Sequence, residues 1–224
     1  MKSSWLLAGL VVFTAAGSAH ASFIVNGSFE QPTVPLGSFT NFLGGSTAIT
    51  GWTVVGVDSA VVDTTTTQRG IVFQAQDGNQ WIDLAGVSSN SNTSGVRQDV
   101  ATMIGTTYQL SFYVGSATDN VFFFPSTVDL SINGGSRQSY TNPTAPGNML
   151  DWRQFTTSFA ATGATTTITF YNGSAPANFQ SGLDNVSLSP VSTVPEPATA
   201  TLFGLGSLIL SAGAWWRRPK ASPT

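Results

Sequence analysis

Short segments with a two-residue period recur along this chain, and they constrain its fold more than any other feature. The clearest of these segments runs from Thr107 to Gly115. There, one set of side chains (Tyr108, Leu110, Phe112 and Val114) alternates with a second set (Gln109, Ser111 and Tyr113) that points to the opposite face. Such alternation indicates a half-buried β-strand. Further strands are predicted at Ser22–Asn26, Ser38–Leu43, Gly51–Val55, Ala60–Asp63, Gln80–Leu84, Gly95–Val100, Thr127–Asn133, Arg137–Thr141, Asp151–Ala160, Thr165–Tyr171 and Gly182–Leu188.

About a dozen short strands, glycine-rich turns and irregular loop spacing predict an all-β fold, an antiparallel jelly-roll β-sandwich. An up-and-down barrel is the alternative architecture. No segment between residues 22 and 194 has a convincing helical period. The sandwich domain is predicted to span residues 22–190.

The first 21 residues have the features of a signal peptide. Lys2 precedes an apolar stretch from Trp5 to Ala16, and Ala19-His20-Ala21 provides the small residues of a signal-peptidase site. A membrane anchor is the alternative, but the apolar part is short and ends in a cleavage motif. We therefore expect export and a mature chain that starts at Ser22.

Residues 191–224 contain a second apolar segment, which predicts a single transmembrane helix. The run at 198–216 has no charged residue and would be about 28 Å long as a helix, enough to cross a hydrocarbon core. Arg217 and Arg218 follow it, and a basic flank stays on the cytoplasmic side. The domain that precedes the helix is therefore predicted to face outward.

The motif Val194-Pro195-Glu196-Pro197, the apolar run and the basic residues Arg217 and Arg218 resemble the PEP-CTERM sorting signal of Gram-negative bacteria. The resemblance implies processing by the membrane protease exosortase. It also implies transient anchoring in the inner membrane with a cytoplasmic C-terminus, before delivery to the cell envelope, the outer surface or the extracellular space. The alternative is an ordinary C-terminal anchor in which the prolines only separate strand from helix.

The composition of residues 22–194 argues against several kinds of activity. This part of the chain has no cysteine and no histidine, which excludes a Ser-His-Asp triad, a cysteine nucleophile and a histidine-bound zinc. Its four arginines stand against ten acidic residues, a net charge of −6, so nucleic acid is not an expected partner. We predict a non-catalytic domain, although two carboxylates could still run a glycoside hydrolase.

The motifs Asn26-Gly27-Ser28-Phe29-Glu30 and Leu183-Asp184-Asn185-Val186-Ser187-Leu188 resemble the galactose-binding-like jelly roll of several carbohydrate-binding modules. Together with Gly51-Trp52 and Asp77-Gly78-Asn79-Gln80 they resemble the DUF642 family. The resemblance implies a structural calcium ion with Glu30 and Asp184 as carboxylate ligands and backbone carbonyls near Asn26 or Gly27 completing the shell; Asp77 is a third carboxylate candidate, chosen for its turn. The alternative is that these carboxylates cap turns by accepting backbone N–H bonds.

Four aromatic residues are the candidates for contact with a glycan: Trp81, Trp152, Tyr171 and Phe123. Core packing is the alternative for the tryptophans, and a hydrophobic lid is the alternative for the run Val121–Pro125. The predicted function is an exported cell-envelope or extracellular-matrix protein that binds extracellular polysaccharide. A structural surface protein without a glycan ligand and a carboxylate glycoside hydrolase are the alternatives.

Overall fold

The computed structural model describes residues 22–88, 90–117, 122, 125–144, 147–174 and 180–191, and this part of the chain consists of β-strands and turns without a helix. The strands are β1 (Phe39–Leu43), β2 (Thr53–Val55), β3 (Asp58–Asp63), β4 (Thr67–Gln68), β5 (Ile71–Val72), β6 (Gln80–Asp83), β7 (Gly95–Ala101), β8 (Thr107–Ser116), β9 (Ser126–Ile132), β10 (Gln138–Asn142), β11 (Asp151–Ala160), β12 (Thr165–Asn172) and β13 (Gly182–Pro190).

Two antiparallel sheets contain most of these strands. Sheet I has six strands in the order β1-β3-β6-β13-β8-β11, and sheet II has five in the order β10-β9-β12-β7-β2. A separate ribbon pairs β4 with β5. The chain crosses repeatedly between the sheets, for example from β8 in sheet I to β9 in sheet II, which is typical of jelly-roll sandwiches. The prediction of an all-β sandwich is confirmed.

The main hydrophobic core lies between the sheets and follows from the alternation in β8. Leu110, Phe112 and Val114 are fully buried, whereas Gln109 is exposed. The Phe112 ring meets Phe170 of sheet II edge to face, with 5.0 Å between ring centroids. Burying each such side chain contributes about 1.5–3 kcal/mol, so inward alternation on both sheets stabilises the sandwich.

A second, smaller cluster lies on the opposite, outer face of sheet I. Its buried members are Val62, Ile71, Phe73, Trp81, Ala117 and Leu150. Ile71 belongs to β5, and Phe73 follows it, so the short ribbon covers part of this outer face. This cover makes the outer face of sheet I different from an ordinary solvated face.

The predicted first strand is wrong. Residues 23–26 form bends, and only Phe23 N donates to β13, at 2.9 Å from Leu188 O. Val25 bonds instead to a side chain, since its N–H donates to Gln98 Oε1 at 2.8 Å and its carbonyl accepts from Gln98 Nε2 at 2.9 Å. The side chain of Gln98 therefore takes the backbone groups that a strand ladder would use.

Among the described residues, no helix has the length and apolar character needed to span a membrane. The predicted signal peptide at 1–21, the sorting motif Val194-Pro195-Glu196-Pro197, the helix at 198–216 and Arg217 and Arg218 lie outside these residues. The chain divides into two units after Pro190.

Candidate functional site

A cleft of about 240 Å³ opens on the outer face of sheet I. Its aromatic lining residues are Phe39, Phe73, Trp81 and Phe122. Its polar lining residues are Thr66, Gln68 and Asp83, and the remainder of the lining is small or aliphatic: Ala60, Val62, Gly86 and Val87. The cleft therefore combines apolar walls with a few polar groups.

The strand register explains why these side chains meet. Phe39 of β1 lies opposite Val62 of β3, and Val62 lies opposite Trp81 of β6. Directly opposed residues in antiparallel strands point to the same face, with Cβ atoms about 4.5–5.5 Å apart. The three side chains thus form one row across the outer face of sheet I.

Trp81 and Trp152 are fixed by ring contacts and by their indole N–H groups. The Trp81 ring stacks on Phe73 with 6.0 Å between centroids and meets Trp152 edge to face at 5.8 Å. Trp81 Nε1 donates to Phe73 O at 2.9 Å, and Trp152 Nε1 donates to Gln74 O at 2.8 Å. These bonds tie the segment after β5 to sheet I beside the cleft.

Asp83 is the carboxylate that lines the cleft. Its Oδ1 accepts the N–H groups of Ala85 at 3.0 Å and Ser181 at 2.9 Å. Burial raises the pKa of Asp83 from its ordinary value of 3.8 to about 7; the two N–H bonds oppose this rise and the charge of Asp58 adds to it. Asp83 is therefore partly protonated near neutral pH.

Asp58 lies behind the cleft wall and is fully buried. Its Oδ2 accepts the N–H groups of Val87 at 3.0 Å and Ser88 at 2.9 Å, and also Asn41 Nδ2 at 3.0 Å. Burial alone would raise the pKa of Asp58, but these hydrogen bonds, together with the nearby Ser88 side chain, outweigh it, so the pKa lies below its ordinary value. Asp58 is therefore ionised while Asp83 is partly neutral.

The predicted calcium ligands meet at the loop that precedes β6. Glu30 Oε1 accepts the N–H groups of Asn79 and Gln80, both at 2.7 Å. Asp184 Oδ2 accepts those of Gln76 at 2.8 Å and Asp77 at 3.0 Å. Burial raises the pKa of Asp184 to about 8, against the effect of its backbone hydrogen bonds.

These contacts fit the capping alternative better than a calcium shell, because backbone N–H groups occupy Glu30 Oε1 and both carboxylate oxygens of Asp184. The backbone carbonyls proposed to complete the shell also accept hydrogen bonds: Asn26 O accepts Trp52 Nε1 at 3.0 Å, and Gly27 O accepts the N–H group of Val186 at 2.9 Å. The Asp77 carboxylate accepts Ser28 Oγ at 2.6 Å. In the described part of the chain, no three His, Cys, Asp or Glu side chains are grouped to hold a metal ion. Calcium binding at Glu30 and Asp184 stays a prediction.

The predicted glycan-contacting aromatics are divided between two faces. Trp81 and Trp152 lie together on the outer face of sheet I, but Trp81 is only 1% exposed and supports the cleft from below. Tyr171 lies in β12 of sheet II, where Arg137 stacks over its ring at 3.6 Å. Phe123 lies outside the described residues. Tyr171 therefore cannot share one binding surface with the two tryptophans.

Sequence reasoning missed Phe39, Asp58 and Asp83 as members of the site. Asp83 alternates with Ile82, and the sequence pattern assigns such an aspartate to a solvated face. The adjacent Trp81, on the same outer face, was the available signal that this face is not solvated. No residue close to Phe39 in the sequence indicates that it belongs to the site, because the side chain beside it in the sheet, Val62, comes from β3.

Comparison with known proteins places the chain in a family. The family model described as "Protein of unknown function (DUF642)" matches residues 22–189. Halomucin from Haloquadratum walsbyi is 27% identical over 225 residues that cover 93% of this chain, but the chain spans only 2% of the length of Halomucin.

Two of the solved structures that the comparison found are carbohydrate-binding domains. The CBM22-1 xylan-binding domain from Paenibacillus barcinonensis Xyn10C is 15% identical, with 72% of this chain and 100% of that chain covered and a TM-score of 0.40. A family 35 carbohydrate binding module from Clostridium thermocellum is 16% identical, with 67% and 98% covered and a TM-score of 0.38. Because the family model matches well over half of its length, this chain belongs to the DUF642 family.

Proposed function

We propose that the domain at residues 22–190 binds a neutral polysaccharide, without catalysis, through the cleft on the outer face of sheet I. The observation that carries this proposal is the lining of the cleft, in which rings such as Phe39 accompany the polar groups of Gln68 and Asp83. Apolar walls with a few placed polar groups are typical of small-molecule sites. A sugar ring suits such a lining, because it presents apolar C–H faces and hydroxyl edges.

The charge of the domain favours a neutral ligand. Residues 22–194 have four arginines and ten acidic residues, a net charge of −6. The described residues that line the cleft include Asp83 and no basic side chain. An acidic polysaccharide would be repelled by this field, whereas a neutral one would not.

The arrangement of the carboxylates favours binding over hydrolysis. Glycoside hydrolysis commonly needs two carboxyl groups that flank the scissile bond. Of the described residues that line the cleft, Asp83 alone has a carboxylate, while Asp58 is buried behind Val87. We therefore favour a binding domain over the hydrolase alternative.

The two ends of the chain support an exported location for this binding domain. The signal-peptide pattern at 1–21 and the Val194-Pro195-Glu196-Pro197 motif with its apolar run suggest delivery to the cell envelope or the extracellular space. Exosortase and the inner membrane are the partners that this sorting pattern implies. Extracellular polysaccharide would then be the ligand available to the domain.

Binding can be tested by affinity electrophoresis and calorimetry with xylan, mannan, galactan and the extracellular polysaccharide of the organism that makes the protein. Phe39→Ala and Gln68→Ala remove exposed lining groups and should each weaken binding about tenfold or more. Leu43→Ala is the matched control, because Leu43 is 65% exposed on the same strand but lies outside the cleft. It should bind as the unchanged protein does.

Two results would contradict the proposal. If the unchanged protein binds none of these polysaccharides, the structural surface protein becomes the better hypothesis. If Leu43→Ala weakens binding as much as Phe39→Ala, the cleft is not the binding site. Release of reducing ends that is lost in Asp83→Asn would instead support the hydrolase.

A further inference from the structure

Two buried oxygen atoms without a hydrogen-bond partner belong to neighbouring side chains of sheet I, which a hydrogen bond of 3.0 Å joins through their other polar atoms. They are Asn41 Oδ1 in β1 and Asp58 Oδ1 in β3. The described residues contain only four buried side-chain atoms of this kind, the others being Ser116 Oγ and Tyr140 OH. Unpaired buried acceptors destabilise a fold, so two adjacent ones call for a ligand that would pair with both.

The strand register brings a third side chain to the same place. Asn41 lies opposite Ala60, and Ala60 lies opposite Asp83, so these residues form one row across β1, β3 and β6. Asp58 is two residues before Ala60 in β3 and therefore points to the same face. Ala60 and Asp83 line the cleft. The small Ala60 side chain leaves room for the longer side chains around it.

Each of the three side chains has one oxygen atom that the described residues leave unbonded. The bonds from the backbone N–H groups of Val87 and Ser88 and from Asn41 Nδ2 reach Asp58 Oδ2, and Oδ1 has no hydrogen-bond partner. That bond from Asn41 Nδ2 fixes the amide and leaves its Oδ1 as the free acceptor. Both N–H bonds to Asp83 reach Oδ1.

The backbone beside Asp58 is shaped around this carboxylate. Gly86 has a φ of +66°, and a Cβ atom built on it would lie 2.4 Å from Asp58 Oδ1. The turn therefore approaches the unpaired oxygen more closely than any residue with a side chain could. Gly86 also lines the cleft, so the oxygen lies immediately behind its wall.

We propose that Asp58, Asp83 and Asn41 bind a calcium ion at the wall of the cleft, between Asp83, which lines the cleft, and Asp58, which lies behind it. A hard divalent cation would pair with the two unpaired oxygens and offset the repulsion between the two carboxylates. The donors are oxygen atoms only, which calcium prefers, and water molecules from the cleft would complete its six to eight ligands. The site has two carboxylates and one amide, and it is separate from Glu30 and Asp184. It does not depend on glycan binding.

Thermal unfolding of the full-length chain tests this site after removal of divalent ions with a chelator. Added CaCl₂ should raise the Tm by about 5–10 °C once its concentration is a hundred times Kd, because the ion binds only the folded state. Asp83→Asn should lose this shift. This variant keeps an oxygen at the position that accepts the two N–H bonds, so it should still fold.

Two control variants separate the site from other acidic groups. Asp99→Asn removes one exposed carboxylate of sheet II, and it should keep the full calcium shift. Glu30→Gln alters the loop before β6 and should also keep it. The proposal is overturned if calcium leaves the Tm of the unchanged protein as it is, or if Asp83→Asn retains the full shift. Loss of the shift in Glu30→Gln but not in Asp83→Asn would also overturn it, and would assign the ion to the other loop.

Discussion

Replacing Gly86 with alanine perturbs the backbone that packs against Asp58 behind the wall of the cleft. The new Cβ would lie 2.4 Å from Asp58 Oδ1 and 2.9 Å from Asp58 O. Because Asp58 is fully buried, its carboxylate cannot move aside without loss of other contacts. Gly105→Ala is the matched control, because Gly105 has a φ of +80° but nothing within 4 Å of the added Cβ.

The difference between the two variants isolates the cost of the contact with Asp58. An alanine in the left-handed region lowers the free energy of unfolding by roughly 1–2 kcal/mol. Because alanine has less conformational entropy than glycine in the unfolded chain, roughly 0.4–1 kcal/mol of this loss is regained. Both variants share these effects. At Gly86 the displaced carboxylate also weakens its bonds from Val87 and Ser88, and a hydrogen bond to a charged group is worth about 1.5–3 kcal/mol. We expect Gly86→Ala to be less stable than Gly105→Ala by about 2–4 kcal/mol.

Urea unfolding followed by tryptophan fluorescence, with linear extrapolation to water, measures both free energies of unfolding. In thermal unfolding, the same difference would lower the Tm of Gly86→Ala by roughly 5–15 °C relative to Gly105→Ala. If the two variants agree within about 0.5 kcal/mol, Asp58 does not pack tightly against the turn at Gly86, and the cation site lacks the geometry proposed for it.

Three further predictions concern the acidic groups and the chain ends. In the presence of a chelator, the free energy of unfolding should fall as pH rises from about 4 to about 8. In the folded state Asp83 and Asp184 have pKa values of about 7 and 8 and keep their protons over much of this range, whereas the unfolded chain releases them near 3.8. A rise over that pH range would contradict this, and Asp83→Asn should reduce the slope. Glu30→Ala should destabilise by about 1–3 kcal/mol in urea unfolding, because two N–H groups lose their acceptor, whereas Glu30→Gln should cost less. Mass spectrometry of the exported protein should find a chain that starts at Ser22 and has lost the apolar segment after Val194; an intact tail would argue against exosortase processing.

Much of the fold could be predicted from local patterns. The alternation from Thr107 to Gly115 corresponds to β8, and the edge strand predicted at Ser38–Leu43 corresponds to β1 at the edge of sheet I. The ribbon β4–β5 was not predicted, because two strands of two residues each carry no readable period. The segment at Ser22–Asn26 has the pattern of a strand, but the side chain of Gln98, far along the chain, takes its hydrogen bonds.

The candidate site could be predicted from the sequence much less well than the fold, because it depends on which strands, far apart in the sequence, lie in the same sheet. Trp81 and Trp152 were named from the sequence as separate residues, and their contact arises because β6 and β11 belong to one sheet. Tyr171 was named with them but lies on sheet II. A local pattern tells which residues share a face of one strand, but not which strands share a sheet.

The sequence by itself determined the β class and the inward-facing residues of the long strands. Its lack of histidine and cysteine between residues 22 and 194 excludes a Ser-His-Asp triad, a cysteine nucleophile and a histidine-bound zinc there. These properties depend on side-chain chemistry and on a two-residue period, which neighbouring residues express without any partner. Only the tertiary structure placed Asn41, Asp58 and Asp83 together. Their proximity comes from the register in which β1, β3 and β6 pair. That register is fixed because each strand must bury one whole face, and no residue of the site sets it alone.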